Sequence, residues 1–283
     1  MNRKLITITA IIIFALAVPA FPSGKIIGWG SQVVGVDLSG PFVQVAAGCS
    51  HSLGLKEDGS IVAWGDNHDG QCNVPSPNAD FVAVAAGEYH SLGLKSDGSI
   101  VAWGYDTSGQ CNVPAPNADF VAVAAGYGHS LGLKTDGSIV AWGMHGAGQC
   151  NVPSPNTGFV AVAAGTLHNL GLKSDGSIVA WGWNGNGQCN VPSPNTGFVA
   201  VAAGYCHSLG LKSDGSIAAW GRNNFGQCDV PAPNTRFVAL AADVGDFSGH
   251  SLGVREDGSI AAWGWNDYGQ CNVPSPNLSL IHI

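Results

Sequence analysis

The chain repeats one unit of about 39 residues six times, and this repetition restricts the folds that are open to it. The clearest copy, FVAVAAGEYHSLGLKSDGSIVAWGYDTSGQCNVPAPNAD, occupies residues 81–119. Its tryptophan recurs every 39 residues from Trp64 to Trp220, and Trp263 follows 43 residues later because the last unit carries an insertion after Ala242. Tandem units of this length indicate an architecture in which neighbouring units share a hydrophobic core.

The first half of each unit predicts a pair of strands. In the second unit, Phe81–Ala86 and His90–Lys95 carry alternating apolar positions, which are typical of half-buried strands. The pair Asp97-Gly98 predicts a tight turn after the second strand, since both residues readily adopt positive φ angles.

The second half of the unit predicts two further strands. One is expected over residues 99–103, and a short fourth strand over residues 110–113, which Pro114 and Pro116 would end. Four strands in about 40 residues match a propeller blade, whereas the coils of the alternative, a parallel β-helix, are shorter. The predicted fold is therefore all-β, a β-propeller of four-stranded blades with six complete blades and an incomplete seventh.

The conserved string within the units, AAG-x-x-HSLGLK-x-DGSIVAWG-x-N-x-x-GQ, resembles the repeat of the regulator-of-chromosome-condensation family over residues 42–277. The resemblance implies a seven-bladed propeller that closes with strands from both chain ends. The short spacer GQCNVPSPN is closer to secreted bacterial members of the β-lactamase inhibitory protein II type, in which similar blades form a protein-binding ring. Such members are expected to place contact aromatics at the second position after Ala-Ala-Gly, which Tyr89 matches, whereas Tyr127 and Tyr205 are shifted by one residue.

Residues 1–20 have the pattern of a secretory signal peptide. A basic start at Arg3 and Lys4 precedes the apolar run LITITAIIIFALAV, and small residues then precede the expected cleavage after Ala20. Fourteen apolar residues are short for a bilayer span, which needs about 20. We therefore expect a chain that is secreted or held at the cell surface and that is not embedded in a membrane once the signal is cleaved.

The two ends of the propeller domain, expected over residues 21–277, differ from the complete units. The segment GKIIGWG, ending at Gly30, matches the third strand of a unit alone. Residues 278–283, LSLIHI, match no unit and are interpreted as a truncated or foreign tail. An open edge in an incomplete seventh blade would favour edge-mediated self-association.

Composition excludes several classes of function. The chain has 11 Lys and Arg against 19 Asp and Glu and contains no basic run, so we expect no binding of nucleic acid. Since no nucleophile elbow or zinc-protease motif occurs, we expect no enzymatic activity, and no cofactor or metal.

Three residue types recur in every unit without requiring a ligand. The six repeated histidines could form a metal-binding ring, but a metal needs only three or four ligands, so hydrogen bonds at the start of a strand are the preferred interpretation. The repeated tryptophan is expected to wedge between blades. Six of the eight cysteines share one position in the units. A disulfide needs Cα atoms within about 7 Å, and equivalent positions on neighbouring blades are usually farther apart, so we expect small buried thiols there.

The positions that vary between the units are the candidates for recognition, because packing does not fix them. One window follows Ala-Ala-Gly and the other follows Trp-Gly. Aromatic side chains are enriched at binding hot spots. The candidate partner-binding residues in these windows are Tyr89, Tyr105, Tyr127, Trp183, Tyr205, Phe225, Phe247, Trp265 and Tyr268. The acidic insertion over residues 243–247 is expected to rise above the ring and to set specificity.

Three functions remain open from the sequence. The preferred one is a secreted, non-enzymatic module that binds an unknown protein partner through a ring of aromatic loops, with inhibition of an enzyme as one such role. The alternative is a structural or adhesive module of a larger cell-surface protein. Nucleotide exchange on a small GTPase, which the family resemblance suggests, is less favoured because of the signal peptide and the lack of a basic tail.

Overall fold

The computed structural model describes residues 42–245 and 249–274, and all its regular elements are β-strands. Eighteen strands form six antiparallel three-stranded sheets, which we number blades 1 to 6 in chain order. The first strands of the blades are β1 Phe42–Ala47, β4 Phe81–Ala86, β7 Phe120–Ala125, β10 Phe159–Ala164, β13 Phe198–Ala203 and β16 Phe237–Ala242. The second strands are β2 His51–Lys56, β5 His90–Lys95, β8 His129–Lys134, β11 His168–Lys173, β14 His207–Lys212 and β17 His250–Arg255. The third strands are β3 Ile61–Gly65, β6 Ile100–Gly104, β9 Ile139–Gly143, β12 Ile178–Gly182, β15 Ile217–Gly221 and β18 Ile260–Gly264.

The blades are arranged around a common axis. The first strand of each blade contacts the first strand of the next, as β1 contacts β4 and β4 contacts β7, so the first strands are innermost. The second strand also packs on the first strand of the following blade, as β5 does on β7. Six repeated blades around an axis confirm the predicted all-β propeller, while the N-terminal partial copy and the tail, with the signal peptide, lie outside the described residues.

The turn between the second and third strands is held by one glycine. In blade 2, Gly98 has a φ of 81° and donates its N–H to the carbonyl of Lys95 over 3.0 Å. Asp97 keeps a negative φ, and its carboxylate instead accepts hydrogen bonds from the backbone and the hydroxyl of Ser99. Only the glycine of the Asp-Gly pair therefore needs the left-handed region.

Each sheet has three strands, so the prediction of a fourth strand over residues 110–113 is wrong. This stretch forms a turn, and the outer edge of the sheet is closed by a side chain further along the spacer. The Asn117 amide accepts from the N–H of Ile100 over 2.7 Å and donates to its C=O over 2.8 Å. One asparagine thus makes the pair of hydrogen bonds that a fourth strand would make at this point of the edge.

The hydrophobic cores lie between the blades. Leu53, Leu55 and Ile61 of blade 1 pack against Phe81 and its neighbours in blade 2, including the tryptophan of that blade, and are at most 3% exposed. The same set of residue types recurs at each following interface. The tryptophan is therefore an inter-blade residue, as the sequence indicates.

The repeated histidines join one blade to the next. The Ser91 hydroxyl of blade 2 donates to the carbonyl of Gln71 over 2.8 Å, so it accepts from His51 Nε2 of blade 1, 2.9 Å away. Trp103 Nε1 donates to the same carbonyl over 2.9 Å. In blade 4 an asparagine replaces the serine, and Asn169 Oδ1 accepts from His129 Nε2 over 2.7 Å. The preferred interpretation of the histidines as hydrogen-bonding residues agrees with these contacts.

The lysine before each turn is held against its own blade. Lys95 Nζ lies 4.2 Å from the centroid of the Phe81 ring and donates to the carbonyls of Pro77 and Ala79.

In the described residues, no helix is both long enough and apolar enough to cross a membrane.

Candidate functional site

Both variable windows lie at one end of the sheets, which we call the loop face. In blade 2 the backbone N–H of Tyr105, after the third strand, donates to the carbonyl of Tyr89, before the second strand, over 2.9 Å. Blade 4 repeats this bond between Trp183 and Leu167 over 2.9 Å. The Asp-Gly turns lie at the opposite end, which we call the hairpin face.

The windows of neighbouring blades are also connected to each other. The backbone N–H of Glu88 in blade 2 donates to Gly126 O in blade 3 over 3.2 Å, and that of Tyr127 donates to Thr166 O in blade 4 over 3.3 Å. Tyr205 in blade 5 donates to Asp243 O over 2.8 Å. The loop face is therefore one continuous surface, and the structure places the candidate aromatics of the described residues on it.

The candidate aromatics differ in exposure. Tyr89, Tyr205 and Trp265 are half-buried. Phe247 lies outside the described residues. The exposed members are Tyr105 at 38%, Tyr127 at 37%, Trp183 at 37%, Phe225 at 44% and Tyr268 at 72%.

Two groups of aromatic rings form on the loop face. The Tyr89 ring contacts Tyr105 edge-on at 6.1 Å between centroids and Tyr127 at 6.4 Å. On blade 6, Trp265 and Tyr268 meet at 5.0 Å with their planes at 88°. Edge-to-face pairs of this kind hold aromatic side chains in fixed orientations. The two groups therefore offer rigid apolar area to a partner.

The turns that carry these aromatics are braced from within. The buried Gln110 accepts from the backbone N–H of Ser108 over 3.0 Å through its Oε1. Asp106 Oδ1 accepts from the backbone N–H of Cys111 over 2.8 Å. The glutamine bond recurs in the other five blades. Asparagine makes the bond of Asp106 in four of them, and blade 3 has His145 at that position. The loops are thus fixed by repeated polar contacts, while the exposed side chains change from blade to blade.

The described start of the insertion in blade 6, residues 243–245, folds inward rather than rising above the ring as expected, and residues 246–247 lie outside the described residues. Thr166 Oγ1 of blade 4 donates to the carbonyl of Val244 over 2.9 Å. Gly245 is buried, and a side-chain carbon built on it would lie 3.4 Å from Cys49 Sγ of blade 1. Since these contacts reach blades 4 and 1, residues 243–245 extend toward the axis of the propeller.

Electrostatics on the loop face centre on carboxylates. The Tyr89 hydroxyl donates a hydrogen bond to the Glu88 carboxylate, and this bond and the carboxylate charge raise the pKa of Tyr89, so the phenol stays protonated. Asp243 lies 3.4 Å from His250 Nδ1, and Asp66 contacts His68 Nδ1. The sequence windows contain these acids, but a search for aromatic residues alone does not find them.

The cysteines and histidines do not form a reactive or metal-binding group in the described residues. None of the eight cysteines, all of which lie in the described residues, forms a disulfide, and the six that share one position in the units are half-buried rather than fully buried. Burial raises the pKa of Cys111 to about 12, so its thiolate is scarce at neutral pH. Within residues 42–245 and 249–274, no three His, Cys, Asp or Glu side chains are grouped to hold a metal ion.

A ring of repeated sheets with variable loops at one end defines a β-propeller. The chain belongs to the regulator of chromosome condensation (RCC1) repeat family, since the model of that repeat matches more than half of its length. The matched segments are residues 42–71, 81–110, 120–149, 159–188, 198–227 and 248–270.

Solved propellers share this fold at low sequence identity. The chain is similar to Prp20p from Saccharomyces cerevisiae, a structure described together with its binding to Gsp1p and histones, at 20% identity and a TM-score of 0.71 over 85% of this chain and 76% of that one. It is similar to human WBSCR16 at 17% identity and a TM-score of 0.66, over 87% and 82% of the two chains. The ectodomain of the Arabidopsis thaliana receptor kinase ACR4 aligns at 23% identity and a TM-score of 0.63, over 78% and 84%. No curated protein sequence matches the chain.

Proposed function

We propose that the chain is a non-enzymatic module that binds a protein partner through its loop face. One observation carries this proposal. The residues that differ between otherwise repeated units lie together on one surface, and many of them are exposed aromatics. Exposed aromatic side chains on rigid turns give large contact area at a small entropic cost, and they are over-represented at binding hot spots.

The proposal is tested by removing aromatic side chains from the loop face. Partners captured from the medium of the producing cells are identified, and the dissociation constant of the purified complex is measured by calorimetry. We expect Trp183→Ala with Tyr268→Ala to weaken binding at least 30-fold, because truncating a hot-spot residue costs about 2 kcal/mol or more.

The matched control removes apolar side chains from the other end of the propeller. Val82 and Val160 are exposed at 45% and 37% and lie beside the hairpin face, at the second position of their strands. Val82→Ala with Val160→Ala should leave the affinity within about twofold, since these positions are outside the proposed contact. Equal affinity of the loop-face variant and the native chain, with a normal unfolding transition, would refute the proposal.

We also propose that the module acts outside the cytoplasm, since residues 1–20 have the signal-peptide pattern. N-terminal sequencing of the product recovered from the medium or the periplasm should start at Phe21. Retention of the uncleaved chain in the cytoplasm would contradict this localisation.

A further inference from the structure

Positive charges are concentrated at the end of the sheets that faces away from the variable windows. Each Asp-Gly turn at the hairpin face follows a basic residue, namely Lys56, Lys95, Lys134, Lys173, Lys212 and Arg255. Within the described residues, Arg222 is the one lysine or arginine on the loop face. Its guanidinium carbon lies 5.6 Å from the centroid of the Phe225 ring, so it is already in contact with an aromatic side chain.

The loop face carries exposed carboxylates that these cations do not neutralise. Asp69, Asp106 and Asp267 are exposed, and none of the three forms an ion pair in the described part of the chain. The half-buried Asp66 and Glu88 add further negative charge to the same surface. The surface that we assign to recognition is therefore acidic.

These carboxylates stand next to the aromatic groups. Asp106 directly follows Tyr105, whose ring contacts Tyr89 at 6.1 Å. Asp267 lies between Trp265 and Tyr268, whose rings meet at 5.0 Å. A guanidinium or ammonium group gains from both features, because an aromatic face attracts a cation and a carboxylate gives it a charge-assisted hydrogen bond.

We propose that the partner presents a basic protein surface, with arginine or lysine side chains that enter between the aromatic rings and the carboxylates of the loop face. This inference rests on the proposed function and specifies the chemistry of the partner. Charge complementarity of this kind steers association and excludes anionic partners. A second copy of the chain fits less well, because Lys95 at the hairpin face already lies over a phenylalanine ring and donates to backbone carbonyls.

The inference can be tested without knowledge of the natural partner. The test uses a random library of twelve-residue peptides that are displayed on phage. The native chain is used for selection, and the recovered peptides are sequenced and then synthesised. We expect the recovered peptides to be enriched in arginine and lysine relative to the unselected library. Their dissociation constants should rise about tenfold between 0.05 and 0.5 M NaCl, since salt screens exposed charges.

Matched charge variants locate the binding surface. Asp69→Asn, Asp106→Asn and Asp267→Asn together should weaken the selected peptides about tenfold. Each of these asparagines is the residue that another unit carries at the same position, namely Asn186, Asn67 and Asn224, so the fold tolerates it.

The control triple is Glu57→Gln, Asp80→Asn and Asp119→Asn, which changes the net charge equally away from the loop face. Asp80 and Asp119 have φ of 63° and 64°, a region that asparagine accepts readily. This control should change affinity less than twofold.

The outcomes separate the two proposals. Peptides without an excess of basic residues that still lose binding in Trp183→Ala would overturn the basic partner while leaving the loop face as a binding surface. An equal effect of the two charge triples would also overturn it, since the attraction would then follow net charge alone. If no recovered peptide depends on the aromatic residues of the loop face, the proposed function fails, and this inference fails with it.

Discussion

At the scale of the residue, the hydrogen bond that the repeated histidine donates determines which ring nitrogen carries the proton. His51 Nε2 donates to the Ser91 hydroxyl, whose own proton goes to the Gln71 carbonyl. Nδ1 of His51 is therefore unprotonated, and it is buried without a hydrogen-bond partner in the structure. Burial lowers the pKa of this imidazole to about 4, so the ring stays neutral.

Removing the serine hydroxyl should be costly, and replacing it with an amide should not. We expect Ser91→Ala to reduce the free energy of unfolding by about 1–3 kcal/mol, because it leaves a buried N–H of His51 without an acceptor. Ser91→Asn should stay within about 1 kcal/mol of the native chain, since Asn169 fills the equivalent position and makes both contacts.

Urea unfolding of the two variants, followed by tryptophan fluorescence, checks this expectation. Equal stability of Ser91→Ala and the native chain would show that the bond contributes nothing net. A large loss in Ser91→Asn would show that Asn169 depends on its own surroundings.

At the scale of the element, the sequence predicts the first two strands of each blade correctly, but it does not predict how the outer edge of the sheet ends. Phe81–Ala86 and His90–Lys95 have the predicted bounds, because the alternating apolar positions are a local feature of the sequence. The second strand is buried at its first five residues, which the alternation does not predict. The fourth strand was wrong because Asn117 satisfies the edge with its side chain, and such a contact over 17 residues leaves no alternating pattern. Likewise, the inward path of residues 243–245 depends on a contact with Thr166, which is 78 residues from Val244.

The asparagine that closes the sheet edge gives an expectation for the whole blade. Asn117→Ala should lower the free energy of unfolding by about 1–3 kcal/mol, because the buried N–H and C=O of Ile100 lose their partners. It should also increase self-association, since an uncovered edge pairs with other strands. Asn112→Ala provides the control, as that side chain is exposed in the same spacer.

Two measurements decide this expectation, namely urea unfolding and size-exclusion chromatography at several protein concentrations. An Asn117→Ala chain that is as stable and as monomeric as Asn112→Ala would mean that the edge does not need the amide.

At the scale of the whole molecule, the interfaces between blades combine an apolar core with a chain of buried histidines. Each histidine of the first five blades bonds to the following blade. The repeated residues form these interfaces, and the variable windows lie together at the loop face. The aromatic candidates could therefore be found in the sequence, because they vary between the units. The acidic character of the loop face could not, because it depends on where the structure places the basic and the acidic side chains.

The buried histidines make the assembly sensitive to acid, and the sign follows from the direction of their shifts. Burial lowers the pKa to about 4 in His51, His129 and His207 and to about 3 in His90 and His168. An unfolded histidine has a pKa near 6.5, so below that pH the unfolded chain binds more protons than the folded one, and stability falls as the pH decreases. At pH 5 each histidine removes about 2 kcal/mol relative to pH 7.5, and five remove about 10 kcal/mol, which is comparable with the total stability of a domain.

We therefore expect cooperative unfolding between pH 6.5 and 4, above the range in which the hairpin carboxylates with lowered pKa values, such as Asp97, become protonated. Urea unfolding at constant ionic strength measures the slope of stability against pH. His168→Gln should be less stable at pH 7.5 and should show a shallower slope, because one proton-binding group has been removed, whereas the exposed His145→Ala should follow the native curve. Equal stability of the native chain at pH 7.5 and pH 5 would contradict the role of the histidines. At pH 5 the five histidines are protonated in the unfolded chain and neutral in the folded one, and this difference must lower the free energy of unfolding.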